Sequence, residues 1–217
     1  MIAGRSGLAL TSQVSDASGL AKSYGPWSGI RTNHVVSASG SFFDESGSSR
    51  GLSTAEDLEL LLALRKEADL VIVDAATARN EKYGKLSSAH LAIISASGSC
   101  EGISAINAST GVTLFSPAQP SMNANSTLEH FSIDSVNPFE AVIEWSSKMQ
   151  LKSLLLEAGP TLTRIAFSTK AVSQSAITIT PRVPIESLTP QWNPFSSRGE
   201  LVSVAESEDA CFTLWSY

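Results

Sequence analysis

Short apolar runs, separated by turn residues and by segments with helical spacing, form the pattern of hydrophobic and polar positions along this chain. Four of these runs are almost wholly apolar and predict strands: 70–73, 91–94, 112–115 and 154–156. Further strands are predicted at 30–37, at 176–180 and, as a short edge strand, at 131–133. The last two segments, 200–204 and 210–215, predict an antiparallel hairpin.

Three helices are predicted from helical spacing and from the residues that begin them. Ser53-Thr-Ala-Glu56 is a capping-box pattern and begins the first helix, which ends near Ala68. Leu61, Leu64 and Ala68 form its apolar face, with Leu58 at the edge of that face. The other two helices begin with a proline, which fits the first helical turn because its missing N–H costs nothing there: Pro138 and Pro160.

The stretch from Leu154 to Phe167 combines a buried strand, a turn and a helix, and the rest of the chain is organised around it. Gly159 in the turn permits backbone angles that a residue with a side chain resists. The N–H groups at the start of the following helix, with the positive end of its dipole, offer a site for a phosphate or a carboxylate. Glu157 lies at the carboxyl end of the strand, where open α/β sheets bind ligands. Two interpretations stay open at this point: an anion site, or a β–α turn without a ligand.

Strand, helix and strand alternate along most of the chain, and a hairpin follows. This alternation predicts a mainly parallel sheet that is covered by helices on both faces and carries antiparallel strands at one edge. Residues 1–28 are expected to form an N-terminal arm, either loose or with a short helix around 16–24. Residues 29–217 are expected to form a single domain.

Composition narrows the function classes. The chain has 217 residues, of which 42% are hydrophobic and 17% charged, and this permits a sizeable core. A net charge of −6 without a Lys/Arg cluster argues against a nucleic-acid surface, although a local site for a small anion remains possible. The two cysteines and three histidines match no metal-ligand spacing, so no metal is expected. No membrane span and no signal peptide is recognisable, so we expect a cytoplasmic protein.

Four stretches, in order and in register, carry a resemblance to a known family: Asn33-His-Val-Val-Ser37-Ala-Ser39-Gly40, Leu64-Arg65-Lys-Glu-Ala68-Asp69 with Val73 to Gly84, Glu157-Ala158-Gly159-Pro160-Thr161-Leu162, and Val172-Ser-Gln-Ser-Ala-Ile-Thr-Ile-Thr-Pro181. They resemble the pyrimidine reductases of riboflavin biosynthesis (RibD C-terminal-domain-like), which are also found fused to a deaminase. The resemblance covers nearly the whole chain. It implies a three-layer αβα dihydrofolate-reductase-like fold, with a mainly parallel sheet and an antiparallel C-terminal hairpin.

The resemblance also implies a function and a set of site residues. A homodimeric, NADPH-dependent reductase would transfer hydride to a phosphoribosylaminopyrimidine or a related small heterocycle. Because the cofactor carries the chemistry, no catalytic residue is assigned. The residues implied to bind the cofactor are Val35, Thr77, Glu81, Gly159, Pro160, Thr161 and Leu162. Those implied to bind the small-molecule substrate are Ser49, Ser53, Arg65 and Glu157, with Arg65 able to pair in bidentate fashion with the substrate phosphate.

Several positions depart from the family pattern. Ser39 stands where the family has an acidic residue, and Asp74 and Ala158 stand where it has glycines. Ser173-Gln174 replaces an Asp-Glu pair. Asp74 places a negative charge near the expected cofactor diphosphate, which would weaken its binding. A non-catalytic ligand-binding or structural member of the same fold is therefore an alternative. A dihydrofolate reductase activity is a third, although no acidic residue is identified that would protonate a pterin.

Overall fold

The computed structural model of the protein describes residues 16–45, 48–108, 110–120, 128–181 and 199–217, together with the backbone of residues 3 and 4. It is a mixed α/β structure with parallel strands and antiparallel C-terminal strands, which confirms the predicted class. The chain divides into two compact units. The first comprises Met1–Trp27, Arg31–Leu64 and Val172–Tyr217, and the second comprises Ser28–Ile30 and Arg65–Ala171.

The first unit contains the N-terminal helix, most of helix α2 and the antiparallel strands. Its elements are β1 (Ala3–Gly4), α1 (Ala17–Ser23), β2 (Gly29–Ser37), α2 (Ala55–Glu67), β8 (Val172–Thr180), β9 (Glu200–Glu206) and β10 (Cys211–Ser216). The strand order is β1-β9-β10-β8-β2, and β10 pairs antiparallel with both β8 and β9. Val36, Phe42 and Ile177 form the centre of an apolar cluster on one face of these strands.

The second unit is a parallel sheet with helices. Its elements are β3 (Leu70–Asp74), α3 (Ala75–Asn80), β4 (His90–Ile94), a 3-10 helix (Ser104–Asn107), β5 (Val112–Ser116), β6 (Glu129–Ser132), α4 (Pro138–Lys148), β7 (Ser153–Leu156) and α5 (Pro160–Ser168). The strand order is β7-β3-β4-β5-β6, and every neighbouring pair is parallel. The carboxyl ends of these strands therefore meet at one edge, as such sheets require.

All the predicted strands are present, with ends that differ by a few residues. The short helix within the predicted N-terminal arm is also present as α1, although most of residues 1–15 lie outside the described part of the chain. The single domain predicted for 29–217 stays a prediction. Among the described residues, no helix has the length and apolar character that a membrane span needs.

Two local predictions for α2 were wrong in part. The hydroxyl that caps α2 belongs to Thr54, one residue after the predicted Ser53, and it accepts a hydrogen bond from Asp57 N at 3.2 Å. Leu64 and Ala68 of the predicted apolar face are buried, whereas Leu60 is buried in place of Leu61, and Leu58 is 51% exposed. The segment after β3 is a further helix, α3.

Candidate functional site

The carboxyl ends of β3 and β7 lie side by side in the second unit and bring two acidic residues to one edge. Asp74 is the last residue of β3, and Glu157 directly follows β7. Their strands pair in parallel, and Glu157 N donates to Ile72 O at 2.8 Å, which extends the ladder past the last residue of β7. This edge carries most of the site residues that the sequence predicted.

Arg65, Tyr83 and Glu157 form one hydrogen-bonded cluster. Arg65 Nε lies 2.9 and 3.0 Å from the two carboxylate oxygens of Glu157, and Nη2 lies 2.6 Å from Oε2. The Tyr83 hydroxyl donates to the same Oε2 and accepts from Arg65 Nη2. The Arg65 guanidinium also lies 5.0 Å from the centre of the Tyr83 ring. Two of the four residues that the sequence assigned to the substrate, Arg65 and Glu157, are therefore paired with each other.

Electrostatics raise the pKa of both Arg65 and Tyr83 in this cluster. Burial by itself lowers the pKa of Arg65, but the Glu157 carboxylate and Tyr83 outweigh that effect and raise it above the ordinary arginine value. Burial and the negative charge of Glu157 raise the pKa of Tyr83, so its hydroxyl keeps its proton. The side chain of Arg65 is 20% exposed, against 6% for Glu157, so Arg65 is the more accessible of the two to a ligand. Arg65 Nη1 makes no hydrogen bond with any described residue.

The carboxylate of Asp74 occupies the beginning of α5. Its Oδ2 accepts hydrogen bonds from Gly159 N at 2.7 Å and from the Thr77 hydroxyl at 2.8 Å, and its Oδ1 caps α3 by accepting from Thr77 N at 2.7 Å. The sequence placed a negative charge near this helix start, and the structure puts it directly on the N-cap N–H. One donor of the predicted anion site is thus already engaged within the protein.

Two further donors of the first turn remain. The N–H groups of Thr161 and Leu162 make no hydrogen bond within the part of the chain that is described, and Pro160 has no N–H. Unpaired first-turn donors together with the helix dipole attract an anion. Thr77 is held by Asp74, whereas Glu81 follows the last residue of α3 and is half-buried.

The prediction that the turn needs Gly159 for an unusual backbone conformation was wrong. Gly159 has a φ of −63°, so its backbone conformation is open to any residue. An added Cβ would lie 3.4 Å from Asp74 Oδ2, an ordinary contact. Ala158 does not have a positive φ, so the alanine in place of the family's glycine causes no backbone strain.

Three of the predicted site residues, Ser49, Ser53 and Val35, lie in the first unit. Ser53 Oγ donates to Asp57 Oδ2 at 2.7 Å, and Ser53 N donates to the Ser49 carbonyl at 3.2 Å, so these two serines are neighbours. Val35 is half-buried in β2. Ser39, which replaces the family's acidic residue, is exposed and hydrogen-bonds to Ser37 Oγ at 2.8 Å.

Sequence reasoning missed two residues with polar roles. Tyr83 was quoted only as part of a family motif, although its position within that motif was the available signal. Asp57 belongs to no motif, and an apolar pattern does not indicate a buried aspartate. It is 4% exposed, and its Oδ1 has no hydrogen-bond partner among the described residues.

Comparison with known proteins identifies the fold. No family model and no curated protein matches the sequence. A pyrimidine reductase-like protein of Corynebacterium diphtheriae has a similar structure, with a TM-score of 0.77 and 22% identity over 93% of this chain and 98% of that one. A bifunctional deaminase and 5-amino-6-(5-phosphoribosylamino)uracil reductase of Thermotoga maritima gives a TM-score of 0.68 and 13% identity; the match covers 92% of this chain and 59% of that longer one.

Dihydrofolate reductase of Enterococcus faecalis, solved with NADP(H), also has a similar structure. The TM-score is 0.52 and the identity 10%, over 86% of this chain and 95% of that one. The dihydrofolate-reductase-like fold that the motifs implied is therefore confirmed. At these identities the likeness establishes the fold, and the function rests on the site residues of this chain.

Proposed function

We propose that the protein is a reductase that uses a nicotinamide dinucleotide, NADPH, to reduce a phosphoribosylaminopyrimidine or a related small heterocycle. The observation that carries this proposal is the edge formed by β3 and β7, where the Arg65–Tyr83–Glu157 cluster lies at the strand ends that also lead into α3 and α5. Reductases of this fold, named in the comparison, support the same reaction class.

The start of α5 is the part of the site that fits the cofactor. The N–H groups of Thr161 and Leu162 would donate to its diphosphate, with Gly159 and Pro160 shaping the turn. Thr77 and Glu81 would lie along the same ligand, whereas contact of Val35 with its nicotinamide end stays a prediction from the sequence. The cofactor supplies the hydride, so the protein has to bind, orient and exclude water. Asp74 opposes this binding because its carboxylate carries the same charge as the diphosphate.

The substrate would contact Arg65 through its phosphate. Nη1 of Arg65 makes no hydrogen bond within the described chain and is the natural first contact. Glu157, held by Arg65 and Tyr83, would accept hydrogen bonds from the polar groups of the heterocycle. Substrate binding by Ser49 and Ser53 stays a prediction from the sequence. We further propose that the protein is a homodimer in the cytoplasm; light scattering after size exclusion would show a monomer if the dimer is wrong.

Two measurements test the proposal. NADPH is titrated into the purified protein while its fluorescence and the thermal unfolding temperature are followed, since a ligand that binds the folded state raises that temperature. Oxidation of NADPH is then followed with the phosphoribosylaminopyrimidine. We expect saturable binding and substrate-dependent oxidation. Arg65→Met should weaken substrate binding and leave NADPH binding unchanged, whereas Arg164→Met, on the exposed side of α5, should change neither. Absence of NADPH binding at millimolar concentration would refute the proposal, and binding without oxidation of any substituted pyrimidine would favour a non-catalytic ligand-binding protein.

A further inference from the structure

The Tyr83 hydroxyl lies between the two charged groups of the candidate site. It donates to Glu157 Oε2 and accepts from Arg65 Nη2, both at 2.5 Å. Tyr83 is 9% exposed, and the proposed function gives it no contact with the cofactor or the substrate. All three residues belong to the second unit. The buried hydroxyl is thus a third member of an ion pair that already has direct contacts of its own.

Tyr83 takes up hydrogen-bonding capacity on one side of the ion pair and leaves the other side open. Nη2 of Arg65 has two hydrogens, and its two partners are Glu157 Oε2 and the Tyr83 hydroxyl. Glu157 Oε2 accepts from Nε, from Nη2 and from Tyr83, whereas Oε1 accepts only from Nε. Within the described chain, the atoms of the pair that keep capacity for a ligand are therefore Nη1 of Arg65 and Oε1 of Glu157.

The hydroxyl fits only one of the arrangements that an arginine and a carboxylate can adopt. A guanidinium pairs with a carboxylate either through Nε and one Nη group or through both Nη groups. Arg65 uses Nε and Nη2. A shift to the second arrangement would move Nη2 away from Tyr83 and leave a buried hydroxyl oxygen without its donor, which costs free energy. Tyr83 therefore favours the arrangement that keeps Nη1 away from the carboxylate.

The backbone after α3 fixes Tyr83 in this place. Tyr83 N donates to Ala78 O at 2.9 Å, and Lys82 N donates to Arg79 O at 3.2 Å, which is the Schellman arrangement at the end of a helix. Lys82 has a φ of +53°, the left-handed conformation that this motif needs and that a residue with a side chain adopts at a cost. Such a conformation persists where surrounding contacts stabilise it, and the contacts of Tyr83 do so here.

We propose that Tyr83 is a positioning residue: its hydroxyl holds Arg65 and Glu157 in one arrangement, so that Nη1 and Oε1 are the atoms presented to the substrate. This inference rests on the proposed function, in which Arg65 contacts the phosphate and Glu157 the polar groups of the heterocycle. The ring of Tyr83, whose centre is 5.0 Å from the guanidinium, contributes separately through a cation–π contact. Tyr83→Phe removes the hydroxyl and keeps that ring contact.

The first experiment follows the Arg65 guanidinium in the ligand-free protein, so it does not depend on the proposed function. Nitrogen NMR distinguishes Nη1 from Nη2 as long as rotation about the Nε–Cζ bond is slow. Loss of one hydrogen bond to the charged group should make this rotation at least about tenfold faster in Tyr83→Phe. Thr113→Val is the matched control: it also removes a buried hydroxyl with two hydrogen-bond partners in the same unit, His90 and Glu129, and should leave the rotation unchanged.

The second experiment measures the reduction itself with the wild type and the same two variants. We expect kcat/KM for the phosphoribosylaminopyrimidine to fall at least about tenfold in Tyr83→Phe, because the substrate loses its orientation, while the Kd for NADPH stays within about twofold of the wild type. Neither constant should change in Thr113→Val. Thermal unfolding of each variant establishes that the fold is retained. A merely structural role would lower the unfolding temperature of both variants and leave kcat/KM unaltered.

The outcomes separate the role of Tyr83 from the proposed function. Unchanged rotation of the Arg65 guanidinium in Tyr83→Phe would overturn the positioning role, whether or not the protein reduces a substrate. Faster rotation with an unchanged kcat/KM would overturn it as well, because the hydroxyl would then serve the fold alone. Absence of turnover in the wild type would refute the proposed function and, with it, the role toward a substrate, whereas the NMR result would still decide whether the hydroxyl holds the ion pair.

Discussion

Replacing Asp74 by serine separates the two roles of this carboxylate. Asp74 caps α3 through Oδ1, and its Oδ2 holds Gly159 N and the Thr77 hydroxyl at the start of α5. Serine caps helices about as well as aspartate, so Asp74→Ser keeps the cap and removes the charge. Asp74→Gly removes both and serves as the comparison.

Removal of the Asp74 carboxylate should strengthen cofactor binding but lower the stability of the fold. A phosphate oxygen on the neighbouring N–H groups would lie on the order of 5 Å from the carboxylate, where like charges repel by about 1 to 3 kcal/mol for effective dielectric constants between water and the protein surface. Removing that repulsion should tighten NADPH binding by roughly 5- to 150-fold. Asp74→Ser loses the hydrogen bonds that Oδ2 accepts from Gly159 N and from the Thr77 hydroxyl. This loss should lower the free energy of unfolding by about 1 to 2 kcal/mol.

The assay is a fluorescence titration with NADPH beside a urea unfolding curve for the wild type, Asp74→Ser and Asp74→Gly. We expect both variants to bind NADPH more tightly than the wild type, and to the same extent. Asp74→Gly should have a lower free energy of unfolding than Asp74→Ser because it also lacks the cap of α3. Affinity that is unchanged or weaker in Asp74→Ser would refute the placement of the diphosphate on this helix start. Such a result would not bear on the capping role of Asp74, which is tested by the difference in free energy of unfolding between the two variants.

Three other changes test the structure. Glu157→Gln should lower the free energy of unfolding by about 1 to 3 kcal/mol, because it leaves a partly buried arginine without its carboxylate; Glu144→Gln, in an exposed ion pair, should cost under about 0.5 kcal/mol in the same urea experiment. Gly98→Ala should cost more than about 1 kcal/mol, since Gly98 has a φ of +74° and a Cβ there would lie 2.9 Å from a carbonyl oxygen, whereas Gly84→Ala meets nothing within 4 Å and should be neutral. His34 is buried, and burial lowers its pKa from 6.5 to about 4. Its contribution to the free energy of unfolding is therefore present above pH 6.5 and is lost as the pH falls toward 4, by up to about 3 kcal/mol. His34→Gln should flatten the pH dependence of the free energy of unfolding between pH 6.5 and 4, and an unaltered slope would contradict the burial argument.

Helix α2 illustrates how far the sequence carries the fold. Its existence and its end follow from capping and periodicity, and they were predicted to within two residues. The buried face was predicted only in part, because leucines surround the helix at 58, 60, 61, 62 and 64, and periodicity alone does not rank them. Leu64 and Ala68 are buried as predicted, but packing buries Leu60 in place of Leu61. It also buries Asp57, which an apolar pattern does not indicate.

The sequence does not indicate how the predicted site residues pair with one another. Arg65 and Glu157 were each assigned to substrate binding from a separate family motif. They are 92 positions apart, and nothing local in either motif indicates that one neutralises the other. The same holds for Asp74 and Gly159, which are 85 positions apart and meet only because β3 and β7 pair. Contacts of this range depend on topology, which a single sequence reveals weakly.

The place of β7 in the second unit determines when the site can form during synthesis. β7 is the last strand of that unit along the chain, yet it pairs with β3, which leaves the ribosome about 80 residues earlier. Until β7 docks, one edge of β3 stays unpaired, and Arg65 and Tyr83 lack their carboxylate. Chains that stop before Leu156 would thus expose a strand edge that invites association, and late docking of a parallel strand is slow because a long loop must close first. Maturation of the site and completion of the sheet are consequently one event.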